Sequence, residues 1–313
     1  MARQFTTIAL LAAVSLPATT LAQRPSGDAA SFSASLGTEY RVTPNITYQT
    51  SSGMDLNLDV YRPARATGPL PTVLFFHGGG YRLGARKESS VLSLMPYVQM
   101  GWNAINVEYR PSNVALAPAA IEDAHCAVRW AMQNAKEYNI DVNKIVVTGQ
   151  SAGSQLALML GLAPASAGFH RNCPGAEPLK VAAVVNWYGI TDFTPLVDDP
   201  SKVFATTWIG NQPNYTQVAA HVSPITHATR AGLPPVITIH GDADPTVPYD
   251  QATRLTDALK KAGGQVELVT IPGGRHGGFE RAQMLRAFSA IEAFLTKNGV
   301  VNAAPPQTAS AQP

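Results

Sequence analysis

Six short apolar runs rich in β-branched residues recur along the chain: "PTVLFF" (71–76), "NAINVEY" (103–109), "KIVVTG" (144–149), "VAAVVNWYG" (181–189), "PVITIHG" (235–241) and "QVELVTIPG" (265–273). Runs of this length without polar alternation predict strands buried on both faces of a parallel sheet. Ahead of them, "ITYQTSSGMDLNLDVYR" (46–62) alternates and carries a Ser-Gly pair at its centre, which predicts a β-hairpin. Helical spacing fills the intervals at 88–99, 117–138, 152–162, 250–262 and 280–297. Strand and helix therefore alternate, and the expected fold class is α/β, with helices on both faces of a mostly parallel sheet and an antiparallel hairpin at its front edge. The stretch 190–232 breaks the rhythm, being long, aromatic and proline-bearing, and reads as an insertion or small cap before the penultimate strand.

Composition narrows the class further. The 313 residues are 45% hydrophobic and 14% charged, with a formal net charge of +2 and no basic block, so nucleic acid is not an expected partner. A single domain over 33–300 is expected, since no linker divides the chain. The first residues show Arg3, an apolar stretch from Ile8 to Leu16, then small residues ending at Ala22. This is the layout of a secretory leader over 1–22, and the apolar stretch is too short to span a bilayer. Export to the periplasm or medium, with cleavage after Ala22, is the corresponding expectation. The end, 301–313, is small, polar and proline-rich, as disordered tails are. Cys126 and Cys173 are the two cysteines. In an exported chain they are either a disulfide or two separate buried thiols. Asn45 and Asn214 fit the glycosylation sequon.

Open α/β sheets bind ligands outside the carboxyl ends of their strands, so chemistry is sought there. After the first of the six runs comes His77-Gly78-Gly79-Gly80-Tyr81, and consecutive glycines let bare N–H groups approach a ligand. After the third comes Gly149-Gln150-Ser151-Ala152-Gly153. Glycines around a serine describe either a tight turn or a turn that holds a nucleophile clear of the sheet, aimed at a helix N-terminus. After the fifth lie Asp242 and Asp244, and after the sixth lies His276 between Gly274 and Gly277. Of seven histidines, His276 alone follows both aspartates.

The order Ser, Asp, His at successive strand ends resembles that of the α/β-hydrolase superfamily. Within it, "HGGGY" with "GQSAG" is similar to the esterase branch related to hormone-sensitive lipases and to bacterial feruloyl-esterase-like enzymes. Two departures stand out. Gln150 occupies the position that is usually acidic in the lipase-like enzymes, and "HGDADPTVP" (240–248) is similar to the acid motif of dienelactone hydrolases and prolyl-oligopeptidase-type peptidases. By that match Asp244 is the triad acid and Asp242 the alternative. The resemblance implies Ser151 as nucleophile, His276 as base, and an oxyanion hole from the N–H groups of Gly79, Gly80 and Ala152. Tyr81, Trp187 and Tyr188, at strand ends, are the expected substrate-facing aromatics.

The expected function is a secreted serine carboxylesterase acting on small-molecule or polysaccharide-linked esters, such as feruloyl or acetyl esters of plant cell walls. The alternatives are a prolyl-oligopeptidase-type peptidase, against which the chain has no room for that family's large extra domain, and a catalytically inert hydrolase-fold binding protein. No H-E-x-x-H or Cys/His cluster with ligand spacing occurs, so no metal and no cofactor is expected.

Overall fold

The computed structural model describes residues 37–87, 90–175, 177–210 and 212–301. The expected leader, the start of the domain at 33–36 and the tail beyond Val301 lie outside them. The hairpin is β1 (Tyr40–Ser51) and β2 (Met54–Pro63), turning at Ser52-Gly53, both of which have positive φ. Next come β3 (Leu70–Phe76), α1 (Ser90–Gln99), β4 (Asn103–Val107), α2 (Ala119–Gln133) and α3 (Ala135–Tyr138). They are followed by β5 (Ile140–Gln150), α4 (Ala152–Leu162) and β6 (Ala183–Trp187). The insertion holds α5 (Val203–Ile209), α6 (Tyr215–His221) and α7 (Pro224–His227). The chain closes with β7 (Val236–Gly241), α8 (Asp250–Lys261), β8 (Val266–Ile271) and α9 (Arg281–Lys297).

The eight strands form one sheet in the order β1-β2-β4-β3-β5-β6-β7-β8. The β1–β2 and β2–β4 pairs are antiparallel and all pairs from β4 through β8 are parallel. Alternate residues of each central strand feed two apolar layers. Leu74, Phe76, Val147 and Val184 face α2, α4 and the insertion, while Val73, Phe75, Val146 and Val185 face α1 and α9. The apolar runs of β3 to β7 therefore mark strands covered on both sides, whereas β8, at the edge of the sheet, is buried only at Ile271.

Boundaries moved where local pattern and tertiary pairing disagree. β5 begins at Ile140, because Leu70 pairs with Ile140 and the Leu70 N–H donates to Asn139 O (2.8 Å), although "DVN" in between is polar. The expected helix 117–138 divides at Asn134, whose N–H and side-chain amide both turn back to Trp130 O. β6 stops at Trp187 because Tyr188 takes positive φ (43°). Cys126, on α2, is joined to Cys173 by a disulfide that closes the 47-residue separation between them and ties the loop after α4 to α2. Among the described residues no helix is long and apolar enough to cross a membrane.

Candidate active site

Ser151 sits at the junction of β5 and α4 with φ 54° and ψ −117°, a conformation that costs a non-glycine residue energy. Its neighbours over-determine it. The Ser151 N–H donates to Trp187 O (3.0 Å) and its carbonyl accepts from Gln155 N–H (3.1 Å). Beneath the turn the Ser154 hydroxyl donates to Gly149 O and accepts from Trp187 N–H (2.7 Å). The flanking glycines are a packing requirement. A Cβ on Gly149 would lie 2.4 Å from the Gly153 carbonyl carbon, and one on Gly153 would lie 2.0 Å from Phe76 O. The strand and helix can reverse this sharply only if neither has a side chain at the crossing.

The His276 loop follows β8 and brings Nε2 to 2.8 Å from Ser151 Oγ, while Nδ1 stands 2.7 Å from Asp244 Oδ2. Of the two candidate acids, Asp244 is the carboxylate that meets His276. The alternative, Asp242, is turned elsewhere and accepts the Gly273 N–H at 2.7 Å. Asp244 Oδ1 takes the N–H groups of Thr246 (2.8 Å) and Val247 (3.0 Å), and the fully buried His240 places Nε2 3.2 Å from Oδ2. Burial pushes the Asp244 carboxyl upward, but the hydrogen bonds from His240 and His276, the His276 charge and the Val247 N–H outweigh it and hold the group well below the usual carboxylate range. An ionised Asp244 accepting from Nδ1–H leaves Nε2 lone-paired toward the serine hydroxyl.

These groups open into a cavity of about 320 Å3 lined by Gly78, Gly79, Gly80, Gln150, Ser151 and His276, with Tyr188, Phe204 and Thr246 completing the wall. Gly79 and Gly80 have φ of 116° and 60°, and a Cβ on Gly79 would strike Leu83 O at 2.0 Å. Ala152 is the first residue of α4, so its N–H has no partner within the helix and lies beside the serine. Of the three expected oxyanion donors, Gly79 and Gly80 line the cavity and Ala152 follows Ser151 at the start of α4.

The aromatic expectations divide. Tyr188 lines the cavity with its ring edge-on to His276 at 4.9 Å, and burial followed by the Asp244 charge raises its phenol above the ordinary value. Tyr81 is corrected. It is fully buried, stacked on Trp208 at 3.8 Å with its hydroxyl on Gln155 Oε1 (3.1 Å), and anchors the glycine turn from behind. Trp187 is corrected as well, since its ring packs on Phe288 (5.1 Å) in the opposite apolar layer. Trp187 is the last residue of β6, and the positive φ of Tyr188 turns the next side chain out of the strand's alternation toward His276. Phe204 was missed. It lies on α5 beside the buried Ala205 and Trp208, and only the folding of the insertion onto Gly80 brings it to the site. Gln150 also lines the cavity, and its amide donates to Ser93 Oγ (3.1 Å) on α1.

The insertion is tied to the acid loop. Lys202 Nζ donates to Thr246 O (3.1 Å), and the buried Gln251 side-chain oxygen accepts from the N–H groups of Thr191 (2.9 Å) and Asp192 (2.8 Å). Asn45 and Asn214 are both exposed, and Asn45 Oδ1 accepts from Arg86 (2.7 Å). Among the described residues no group of three or more His, Cys, Asp or Glu side chains is placed to hold a metal ion.

A mostly parallel sheet with serine, acid and histidine on the loops after β5, β7 and β8 defines an α/β-hydrolase, of the serine-esterase branch related to hormone-sensitive lipases. The chain belongs to the BD-FAE family, whose model matches residues 58–259. It is similar to the esterase LipC of Mycobacterium tuberculosis, 31% identical over 230 residues, covering 70% of this chain and 56% of that one. The chain spans little more than half the length of such curated relatives. Among solved structures, a truncated carbohydrate esterase from gut microbiota superposes with a TM-score of 0.72 at 26% identity, covering 84% of this chain and 98% of that one. The propionate-bound esterase Est2 of Thermogutta terrifontis gives 0.71 at 26% identity, covering 86% and 97%.

Proposed function

We propose that the protein is an exported serine carboxylesterase acting on small esters, among them feruloyl or acetyl esters of plant cell walls. The observation that carries this reading is the continuous chain Asp244 Oδ2, His276 Nδ1, His276 Nε2, Ser151 Oγ, with both contacts under 3 Å. His276 Nε2 takes the Ser151 proton as Oγ adds to the ester carbonyl. The N–H groups of Ala152, Gly79 and Gly80 receive the oxyanion. Collapse of the tetrahedral species breaks the bond to the leaving alkoxide, which takes the proton from His276. Water, deprotonated by the same nitrogen, then attacks the acyl-enzyme and releases the carboxylic acid and Ser151.

A small acyl group suits the cavity, whose volume of about 320 Å3 stands at the lower end of small-molecule sites. The structural relatives point the same way, since Est2 has been seen with propionate and with butyrate. Export rests on the layout of residues 1–22. Turnover of p-nitrophenyl esters from acetate to long chain, with methyl ferulate and acetylated xylan, tests class and pocket together. We expect activity falling with chain length, and loss of all turnover in Ser151→Ala. A Ser151→Ala variant that hydrolyses p-nitrophenyl acetate at the wild-type rate would overturn the reading.

A further inference from the structure

At the opposite end of the sheet from Ser151 lies a larger cavity, about 610 Å3, where β6 and β7 begin and α4 ends. Leu160, the first α4 residue on its wall, lies about 14 Å from Ser151 along the helix axis. Its wall includes five basic side chains, His125, Arg129, His170, Lys180 and Arg230, and no carboxylate among the described residues. The hydrogen bonds of Arg129, Lys180 and Arg230 go to neutral oxygens. Arg129 reaches Gly175 O and Glu177 O, Lys180 reaches Asn143 Oδ1 (3.0 Å), and Arg230 reaches Leu162 O (3.3 Å).

His125 is the second observation. It is 6% exposed, and neither ring nitrogen has a hydrogen-bond partner among the described residues; Arg129 Nε is likewise unpartnered. Burial, and then the charges of His170 and Arg129, push the imidazole down to about 3, so it stands neutral in a field of positive sign. A buried polar group without a partner is costly, and a ligand in the adjoining cavity would supply one. Leu160, Leu179 and Val181 supply an apolar wall beside these donors. Cationic donors at one side and apolar surface at the other fit an anion with a hydrophobic body. The volume falls inside the range of small-molecule sites.

We propose that this cavity is a second, non-catalytic binding site for a small organic carboxylate, with Arg129, Lys180 and Arg230 facing the carboxylate and His125 donating a hydrogen bond to it. The site does not depend on the hydrolase reading. If that reading holds, the acid released at Ser151 is a ligand of the same chemical class.

Calorimetry of the full chain with benzoate, its neutral counterpart benzamide, and inorganic phosphate tests the proposal. Lys180 and Arg230 are exposed, so Lys180→Gln/Arg230→Gln leaves the fold and the esterase rate unchanged. Benzoate should bind to the wild type, and at least tenfold more weakly to the double variant. Benzamide should bind at least tenfold more weakly than benzoate, and phosphate, lacking the apolar body, more weakly as well. On binding, the His125 imidazole resonances should move while those of His276 stay in place. The proposal is overturned by no heat with benzoate, by equal binding of benzamide, or by benzoate affinity unchanged in the double variant. Phosphate binding as tight as benzoate would overturn the apolar half of the assignment. Failure of Ser151 to hydrolyse any ester would leave each of these readouts intact.

Discussion

Gly153→Ala sets two physical effects against each other at one atom. Gly153 is the second residue of α4, and in a helix alanine is favoured over glycine by about 1 kcal/mol. Propensity alone predicts a stabilised protein. In the fold, the new Cβ would lie 2.0 Å from Phe76 O and 2.5 Å from His77 O. Carbon and oxygen settle near 3.3 Å, so the contact is short by about 1.3 Å. The obstructing atoms are backbone, and β3 is paired on both sides by β4 and β5, so no side-chain rotation relieves the clash. Overpacking costs about 1–3 kcal/mol, and this case falls at the upper end because strand or helix must move. The net expectation is destabilisation by about 2 kcal/mol, a fall in Tm of about 4–8 °C for a domain of this size. Separation of α4 from β3 also carries Ser151 Oγ away from His276 Nε2, and a shift of about 1 Å costs roughly 100-fold in rate. Thermal melts followed by circular dichroism, with kcat/KM on p-nitrophenyl acetate, measure both. Gly68→Ala, where a Cβ meets nothing within 4 Å, serves as the neutral control. A Gly153→Ala protein with wild-type Tm and kcat would refute the close-approach explanation of the motif.

Asp244→Asn should reduce kcat by about 10,000-fold with KM little changed, because the amide no longer accepts from His276 Nδ1–H and the imidazole loses its productive tautomer; stopped assays across pH 6–9 check this. Cys126→Ser/Cys173→Ser should lower stability by about 4 kcal/mol, the loop-closure contribution for a 47-residue separation, read from urea midpoints. Acid should destabilise the fold from near neutrality. His125 is held down to about 3 when folded and titrates near 6.5 when unfolded, so its contribution is whole above about 6.5 and is lost progressively as pH falls toward 3. At pH 5 the loss is about 2 kcal/mol, and His125→Leu should abolish that slope in urea melts; an unchanged slope would contradict it. Asp244, held low by its partners, adds a second loss only below about pH 4.

Much of the architecture was written locally. Parallel strands packed under helices need apolar runs, so all six showed as strands, the half-exposed edge strand β8 included, and the placement of Ser151, Asp244 and His276 just after three of them was readable because each follows a run that ends in glycine or Gly-Gly. Strand ends were less legible. The polar Asp141-Val142-Asn143 belongs to β5 because a neighbouring strand pairs beyond it, and no window of the sequence contains that neighbour.

Side-chain direction and long-range packing were decided only in three dimensions. Trp187 and Tyr188 are adjacent in the chain and equally aromatic, yet one packs on Phe288 and the other borders His276, because the strand ends between them and the positive φ of Tyr188 redirects its side chain. Tyr81 was drawn inward by Trp208, and Phe204 was delivered to the cavity by an insertion whose docking depends on Thr246 and Gln251 far along the chain. The choice between Asp242 and Asp244 likewise rested on which carboxylate of the loop after β7 meets His276 on the loop after β8. By itself, then, the sequence determined the strand order's raw material, the glycine-flanked turn and the residue types of the chemistry, since these follow from local burial and backbone sterics. Tertiary structure alone decided which aromatics line the cavity at Ser151, which carboxylate is paired with His276, and that five basic residues scattered from 125 to 230 share one wall, because those facts depend on contacts between segments that local pattern does not encode.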